Sequence, residues 1–339
     1  MTSVLELARK SSVYPMAQKI RQEIFPFLSP DLRVLFNLIP DYELEVLEEI
    51  RLRINAPVLL KQRTADKYLG EDGSLSTKWE KSVCLSGEAL HKTVALLCNS
   101  SLYALEEELR KGFLTLPGGH RTGFVGRAVL EKGMVRTLKQ ISGINIRIAR
   151  YISGPALKII RHLIKGDSFL NTLIISPPRA GKTTLLRDII CLLSNGFPGF
   201  SSLDVGLVDE RSEVAGCRDG VPQLPIGHRT DVLDACPKAE GMMMLVRSMS
   251  PQVIATDEIG RQEDADAIKE VINAGIKLLT TAHGFGKDDI LKRPVIRDIL
   301  AQKVFERYVV LSRKKGPGTV ENIYDENWMP LWERRLNND

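Results

Sequence analysis

The 339-residue sequence predicts an α/β fold: a domain with a mostly parallel sheet covered by helices, preceded by a smaller α+β domain. Three observations predict it. In the second half, the apolar runs Leu173-Ile174-Ile175, Leu203 to Val208, Val253 to Thr256 and Leu278 to Ala282 alternate with helical segments. Before them, glycines 118, 119, 123, 126, 133 and 143 punctuate short β-rich runs. Between the two regions, Ser153-Gly154-Pro155 breaks the chain. We therefore expect an amino-terminal α+β domain over 1–152 and an α/β domain over 153–339. Within the first, a helical part covers about 1–112 and a basic glycine-rich sheet about 113–150.

Ser29-Pro30 is a helix start, with a capping serine and proline at the first helical position. Leu32, Leu35, Phe36 and Ile39 follow at helical spacing, and Glu43 to Glu49 has the same period. Ser86 is positioned to cap a helix carrying Leu90, Val94, Leu97 and Cys98, and a third helix is expected over Ser101 to Lys111. Gly123 to Leu130, Met134 to Leu138 and Ile144 to Ile148 then read as strands of a small antiparallel sheet.

In the second domain each apolar run suits a strand buried on both faces. Helices are expected near Lys182 to Ser194, Ala239 to Ser248 and Asp264 to Asn273. Phe305 to Arg313 and Thr319 to Asp325, joined around Gly316-Pro317-Gly318, predict a closing antiparallel hairpin.

Composition narrows the function classes. Apolar residues make up 43% and charged residues 26%, an ordinary globular balance. The five cysteines form no Cys-x-x-Cys pair, which argues against a disulfide framework or zinc site and for a reducing, cytoplasmic setting. No run approaches eighteen apolar residues, and the start has an early acid and no apolar signal core, so neither a membrane span nor export is expected. The net charge of +5 is modest, but between Lys111 and Lys165 eleven Lys or Arg face a single acid, Glu131. That excess fits a solubilising face, phosphate contacts, a neighbouring subunit's nucleotide, or an acidic surface such as anionic lipid or nucleic acid. Phe113, Phe124 and Tyr151 are its only aromatics, too few for a base-stacking platform.

The strongest chemical signal is Ser176-Pro177-Pro178-Arg179-Ala180-Gly181-Lys182-Thr183, followed by Thr184. It matches the phosphate-binding pattern G-x-x-x-x-G-K-[ST] except that Ser176 replaces the first glycine. An apolar strand precedes it and a helix follows, so backbone N–H groups and the helix N-terminus converge on phosphate. Lys182 is expected to reach the β- and γ-phosphates of ATP, and Thr183 to bind Mg2+. Ser176 resists positive φ, so we expect it to keep a negative φ. Some seventy residues on, Val253-Ile254-Ala255-Thr256 leads into Asp257-Glu258, the form of a Walker B strand. Asp257 is expected to assist Mg2+ through water, and Glu258 to orient the attacking water. Gly206 to Val208 ends in the acids Asp209, Glu210 and Glu213, and Leu278 to Ala282 ends at His283. Open α/β sheets bind ligands at that edge, where the imidazole can sense the γ-phosphate.

This order of P-loop, acid-rich strand, Walker B strand and strand-terminal histidine resembles the type II/type IV secretion ATPases, with their Asp and His boxes. Denser still is a resemblance to the stage III AA sporulation family of endospore-forming bacteria. It is carried by Gly181 to Asp188, Val208-Asp-Glu-Arg-Ser-Glu213, Arg229 to Asp234, Cys236 to Met244 and Arg247 to Gln252. It reaches back through Gly119 to Gly123, Leu138 to Ser142 and Asn145 to Arg150. The resemblance implies a RecA-like P-loop ATPase acting in the mother-cell cytoplasm on a membrane channel complex during sporulation, and a homo-oligomeric, hexameric ring with nucleotide between subunits. It also makes Glu210 a competitor of Glu258 as catalytic base, with Glu258 preferred. The P-loop domain itself offers no obvious extra positive charge at the γ-phosphate. Of the candidates Arg121, Arg127, Arg136, Arg147 and Arg150, the resemblance favours Arg136 and Arg147 as arginines acting on an adjacent subunit. The alternative reading is an ATPase that binds nucleic acid through residues 111–165.

Overall fold

The structure, a computed structural model, describes residues 16–98 and 112–333; the helix expected over Ser101 to Lys111 lies outside them. The chain falls into two compact units, Met1–Arg150 and Tyr151–Asp339.

The first unit runs α1 (Met16–Glu23), α2 (Pro30–Asn37), α3 (Asp41–Glu45), β1 (Leu47–Arg53), β2 (Leu59–Gln62), β3 (Lys67–Leu69), β4 (Leu75–Ser76), α4 (Gly87–Leu97), β5 (Phe113–Thr115), β6 (Arg121–Glu131) and β7 (Met134–Arg147). The strands form one antiparallel sheet in the order β4-β3-β2-β1-β7-β6-β5. Ile50, Leu52, Leu60, Ile144 and Ile146 of the sheet pack with Ile20, Phe36 and Leu90 of the helices. Ser86 caps α4, its Oγ accepting the Ala89 N–H at 3.1 Å. Ser29 precedes α2 without a side-chain cap, and its own N–H donates to Thr93 Oγ1 at 3.0 Å.

Two expectations are corrected here. The stretch 1–112 is not simply helical, since β1 to β4 lie within it. The helix expected over Glu43 to Glu49 stops at Glu45, because Leu47, Ile50 and Leu52 turn inward on a strand paired with β2 and β7. Cross-strand packing there outweighs the helix propensity of Leu and Glu. The two strands expected from Met134 to Leu138 and from Ile144 are one 14-residue strand, β7.

The second unit contains the small hairpin β8 (Ile164–Lys165) and β9 (Ser168–Phe169), then β10 (Thr172–Ser176), α5 (Lys182–Asn195), β11 (Val205–Asp209), β12 (Thr230–Asp234), α6 (Lys238–Ser248), β13 (Val253–Thr256), α7 (Gln262–Asn273), β14 (Lys277–His283), α8 (Lys287–Ile290), α9 (Pro294–Ala301), β15 (Arg307–Ser312), β16 (Thr319–Asp325) and β17 (Pro330–Glu333). Its main sheet has the order β12-β11-β13-β14-β10-β15-β16-β17. It is parallel from β12 to β15 and antiparallel beyond.

Successive residues of β10 enter opposite cores: Ile174 packs with Leu186, Ile190 and Leu207, while Leu173 and Ile175 pack with Ile254, Ile268 and Tyr308. Burial on both faces is why these strands read as unbroken apolar runs. Edge strand β12 went unassigned from sequence because its Thr-Asp-Val-Leu-Asp carries no such run and is only half-buried. No helix among the described residues is long and apolar enough to cross a membrane.

Candidate active site

Parallel register builds the site. Ser176 pairs with His283, Thr256 with Thr280, and Val208 with Thr256, so the carboxyl ends of β10, β14, β13 and β11 share one edge. The P-loop residues, both acid pairs and His283 all belong to that edge or the loops leaving it.

The loop from Pro177 to Gly181 turns between β10 and α5. Ser176 stays in the strand, outside the left-handed region, with its hydroxyl donating to Pro177 O at 2.8 Å. The left-handed positions are Arg179 at φ 59° and Gly181 at φ 87°. Gly181 has a second constraint: a Cβ there would stand 2.7 Å from the Gly318 N–H, which donates to Ala180 O at 2.7 Å. The β15–β16 turn thus braces the loop. Lys182 opens a 14-residue helix whose first-turn N–H groups have no helical partner, leaving partial positive charge beside the lysine.

The Lys182 side chain is only 9% exposed. Its Nζ lies 3.7 Å from Asp257 Oδ1 and 3.7 Å from Glu258 Oε2. Thr281 fixes this acid pair. Its hydroxyl donates to Asp257 Oδ1 at 2.6 Å and accepts the Glu258 N–H at 2.8 Å. Glu258 sits at φ 42°, a conformation that a non-glycine residue keeps only where its surroundings impose it. Its carboxylate also meets His283 Nε2 at 3.3 Å and Arg211 Nη1 at 3.3 Å, and His283 Nδ1 is 3.4 Å from Ser176 O.

The other acids are engaged differently. Glu210 pairs with Lys238, with Arg261 3.9 Å away. Asp209 is 1% exposed and accepts the N–H groups of Glu213, Val214 and Ala215 at 2.9, 2.9 and 2.8 Å. Burial pushes its carboxyl up to about 6, opposed by those hydrogen bonds. Buried Arg187 closes the same turn, donating through Nη2 to Glu213 O at 2.8 Å and through Nε to Val214 O. Asp209 is thereby a turn-forming carboxylate. Arg136 and Arg147 lie on β7 in the other unit, both more than half exposed, 3.7 Å from Glu131 and Glu49 respectively.

Thr281 and Arg211 belong to no motif that marks them in the sequence. The spacing Thr281-x-His283 was legible, since residues two apart share a strand face. The sequence offers no obvious extra positive charge at the γ-phosphate from this unit; in the structure Arg211 reaches the same Glu258 oxygen as Lys182.

Helix-start amides and a buried lysine 3.7 Å from the Asp257 carboxylate fit a polyphosphate with magnesium. Among the described residues no three His, Cys, Asp or Glu group to hold a metal alone.

The fold is that of RecA-like secretion ATPases. The Legionella pneumophila ATPase DotB superposes with a TM-score of 0.54 at 14% identity, covering 87% of this chain and 79% of that one. The pilus retraction motor PilT, solved with bound ADP, gives 0.52 at 13%, covering 82% and 77%. The profile of the sporulation stage III, protein AA family matches residues 18–331, and the chain belongs to this family. It is 46% identical to the stage III sporulation protein AA of Bacillus subtilis (strain 168), over 90% of this chain and 95% of that protein.

Proposed function

We propose that the chain is a motor ATPase that hydrolyses ATP to energise a membrane-associated channel complex during endospore formation, working from the mother-cell cytoplasm. The observation that carries this reading is Lys182 Nζ held at 3.7 Å from both carboxylates at the end of β13, beside the start of α5.

Each residue then has a role. The loop Ser176 to Gly181 and the N–H groups of Lys182, Thr183 and Thr184 cradle the phosphates. Lys182 neutralises the β- and γ-phosphates. Thr183 and Asp257 hold magnesium, the latter through water. Magnesium, when bound, offsets charge on the transferring phosphoryl group. Glu258 orients the attacking water, held by Thr281 and by His283, which senses the γ-phosphate. Glu210 competes for the base role, but its pairing with Lys238 favours Glu258.

The family and the fold support a ring, which we propose to be hexameric. Arg136 or Arg147 of one chain then reaches the nucleotide of the next. A mixture of two inactive chains, Lys182→Ala and Arg147→Ala, tests this. Recovery of hydrolysis at mixed interfaces is expected, together with a rate per chain that falls on dilution. No recovery and a concentration-independent rate would remove the shared site. The exposed basic residues of β6 and β7 favour one other reading, an ATPase that works on nucleic acid. Phe124 is buried and Phe113 is covered by Arg121 at 3.5 Å, which leaves no stacking platform there among the described residues. A DNA-stimulated rate would turn the assignment to that reading.

A further inference from the structure

Taking the ATPase reading as its basis, we infer that Arg211 is a catalytic arginine supplied within the same chain, one that exchanges Glu258 for the γ-phosphate of the bound triphosphate. Arg211 Nη1 and Lys182 Nζ approach the same oxygen, Glu258 Oε2, at 3.3 and 3.7 Å. Two cation tips thus already converge on one anionic oxygen at the sheet edge beside the P-loop.

The backbone around Arg211 is fixed. Asp209 gathers three N–H groups behind it, Glu210 is tied to Lys238, and Ser212 sits at φ 51° with its hydroxyl donating to Asp234 at 2.6 Å. The Arg211 side chain itself is 61% exposed, and the Glu258 carboxylate is the acid that holds its tip. An exposed pair of this kind contributes little to stability, about 0–1 kcal/mol. A rigid turn presenting a loosely held guanidinium is better explained by a ligand than by folding.

Exchange follows from charge. Without nucleotide, Lys182 and Arg211 balance Asp257 and Glu258. A triphosphate brings several negative charges and planar oxygen pairs that match a guanidinium fork. Arg211 moves to it, and Glu258 keeps His283 while gaining the freedom to accept a hydrogen bond from water. A diphosphate has no group at that position, so Arg211 stays on Glu258.

Equilibrium binding of Mg-ADP and of a non-hydrolysable Mg-ATP analogue, alongside turnover, tests the inference on the full chain. The wild type should prefer the triphosphate analogue. Arg211→Ala should lose that preference by about tenfold or more, bind ADP within about twofold of wild type, and turn over roughly 10³-fold more slowly. Arg211→Lys should keep part of the preference. An Arg211→Ala chain with wild-type preference and rate overturns the inference. So does one that loses ADP and analogue affinity alike, which marks a structural pair. Lys182→Ala separates the two levels: if it binds Mg-ADP as the wild type does, the nucleotide site itself is wrongly placed, whatever Arg211 does.

Discussion

The Thr281 hydroxyl stands between the two carboxyl residues at the end of β13, donating to Asp257 Oδ1 at 2.6 Å while accepting the Glu258 N–H at 2.8 Å. One side chain from β14 thus aims the proposed magnesium ligand and anchors the backbone of the proposed base. Thr281→Val keeps the shape and removes both bonds. Loss of such an outer partner typically costs 10–100-fold in metal affinity or activity. A magnesium titration of ATPase rate should show the midpoint shifted upward by about that factor. An unchanged midpoint and rate would reduce Thr281 to core packing.

The acids of β11 and β13 are separated by their cations. Lys182 faces Asp257 and Glu258, whereas Glu210 faces Lys238. Glu258→Gln should therefore cut turnover by roughly 10²-fold or more, in the range of general-base losses, with nucleotide still bound. Glu210→Gln should act more weakly, through the loosened β11 turn. Normal hydrolysis by Glu258→Gln with a dead Glu210→Gln would reverse the assignment.

Asp209 gives a pH signature in stability. Its folded-state pKa is raised from 3.8 to about 6 by burial. The native state therefore binds a proton that the unfolded state has already released between pH ~4 and ~6, so stability falls as pH rises through that window. The loss approaches, at most, about 3 kcal/mol above pH ~6. Asp209→Asn has no such titration. Denaturant melts of both chains from pH 4 to 7 should show the wild type losing stability relative to the variant as pH rises. Parallel curves would contradict the burial argument.

The parts of the fold legible in sequence were those where one force dominates. β10, β13 and β14 are buried on both faces and appear as apolar runs, and Gly-Lys-Thr announces the helix after the loop. β1 was not legible because its apolar residues alternate among Glu and Arg, which have good helix propensity, and only pairing with β2 and β7 decides its state. In the site, Lys182, Asp257, Glu258 and His283 follow from strand ends and a motif. Arg211 and Thr281 do not, because their meaning depends on which strands are neighbours. β13 lies between β11 and β14 in the sheet, an order the sequence does not display.

The central claim, that Lys182 beside Asp257 and Glu258 makes this chain an ATPase, is tested most directly by magnesium-dependent phosphate release from purified wild type and Lys182→Ala. The wild type should hydrolyse ATP. The variant should lose at least about 10²–10³-fold, since Arg179, the loop's other cation, is exposed and it is Lys182 that meets the acid pair. A variant that keeps half the wild-type rate would contradict the claim.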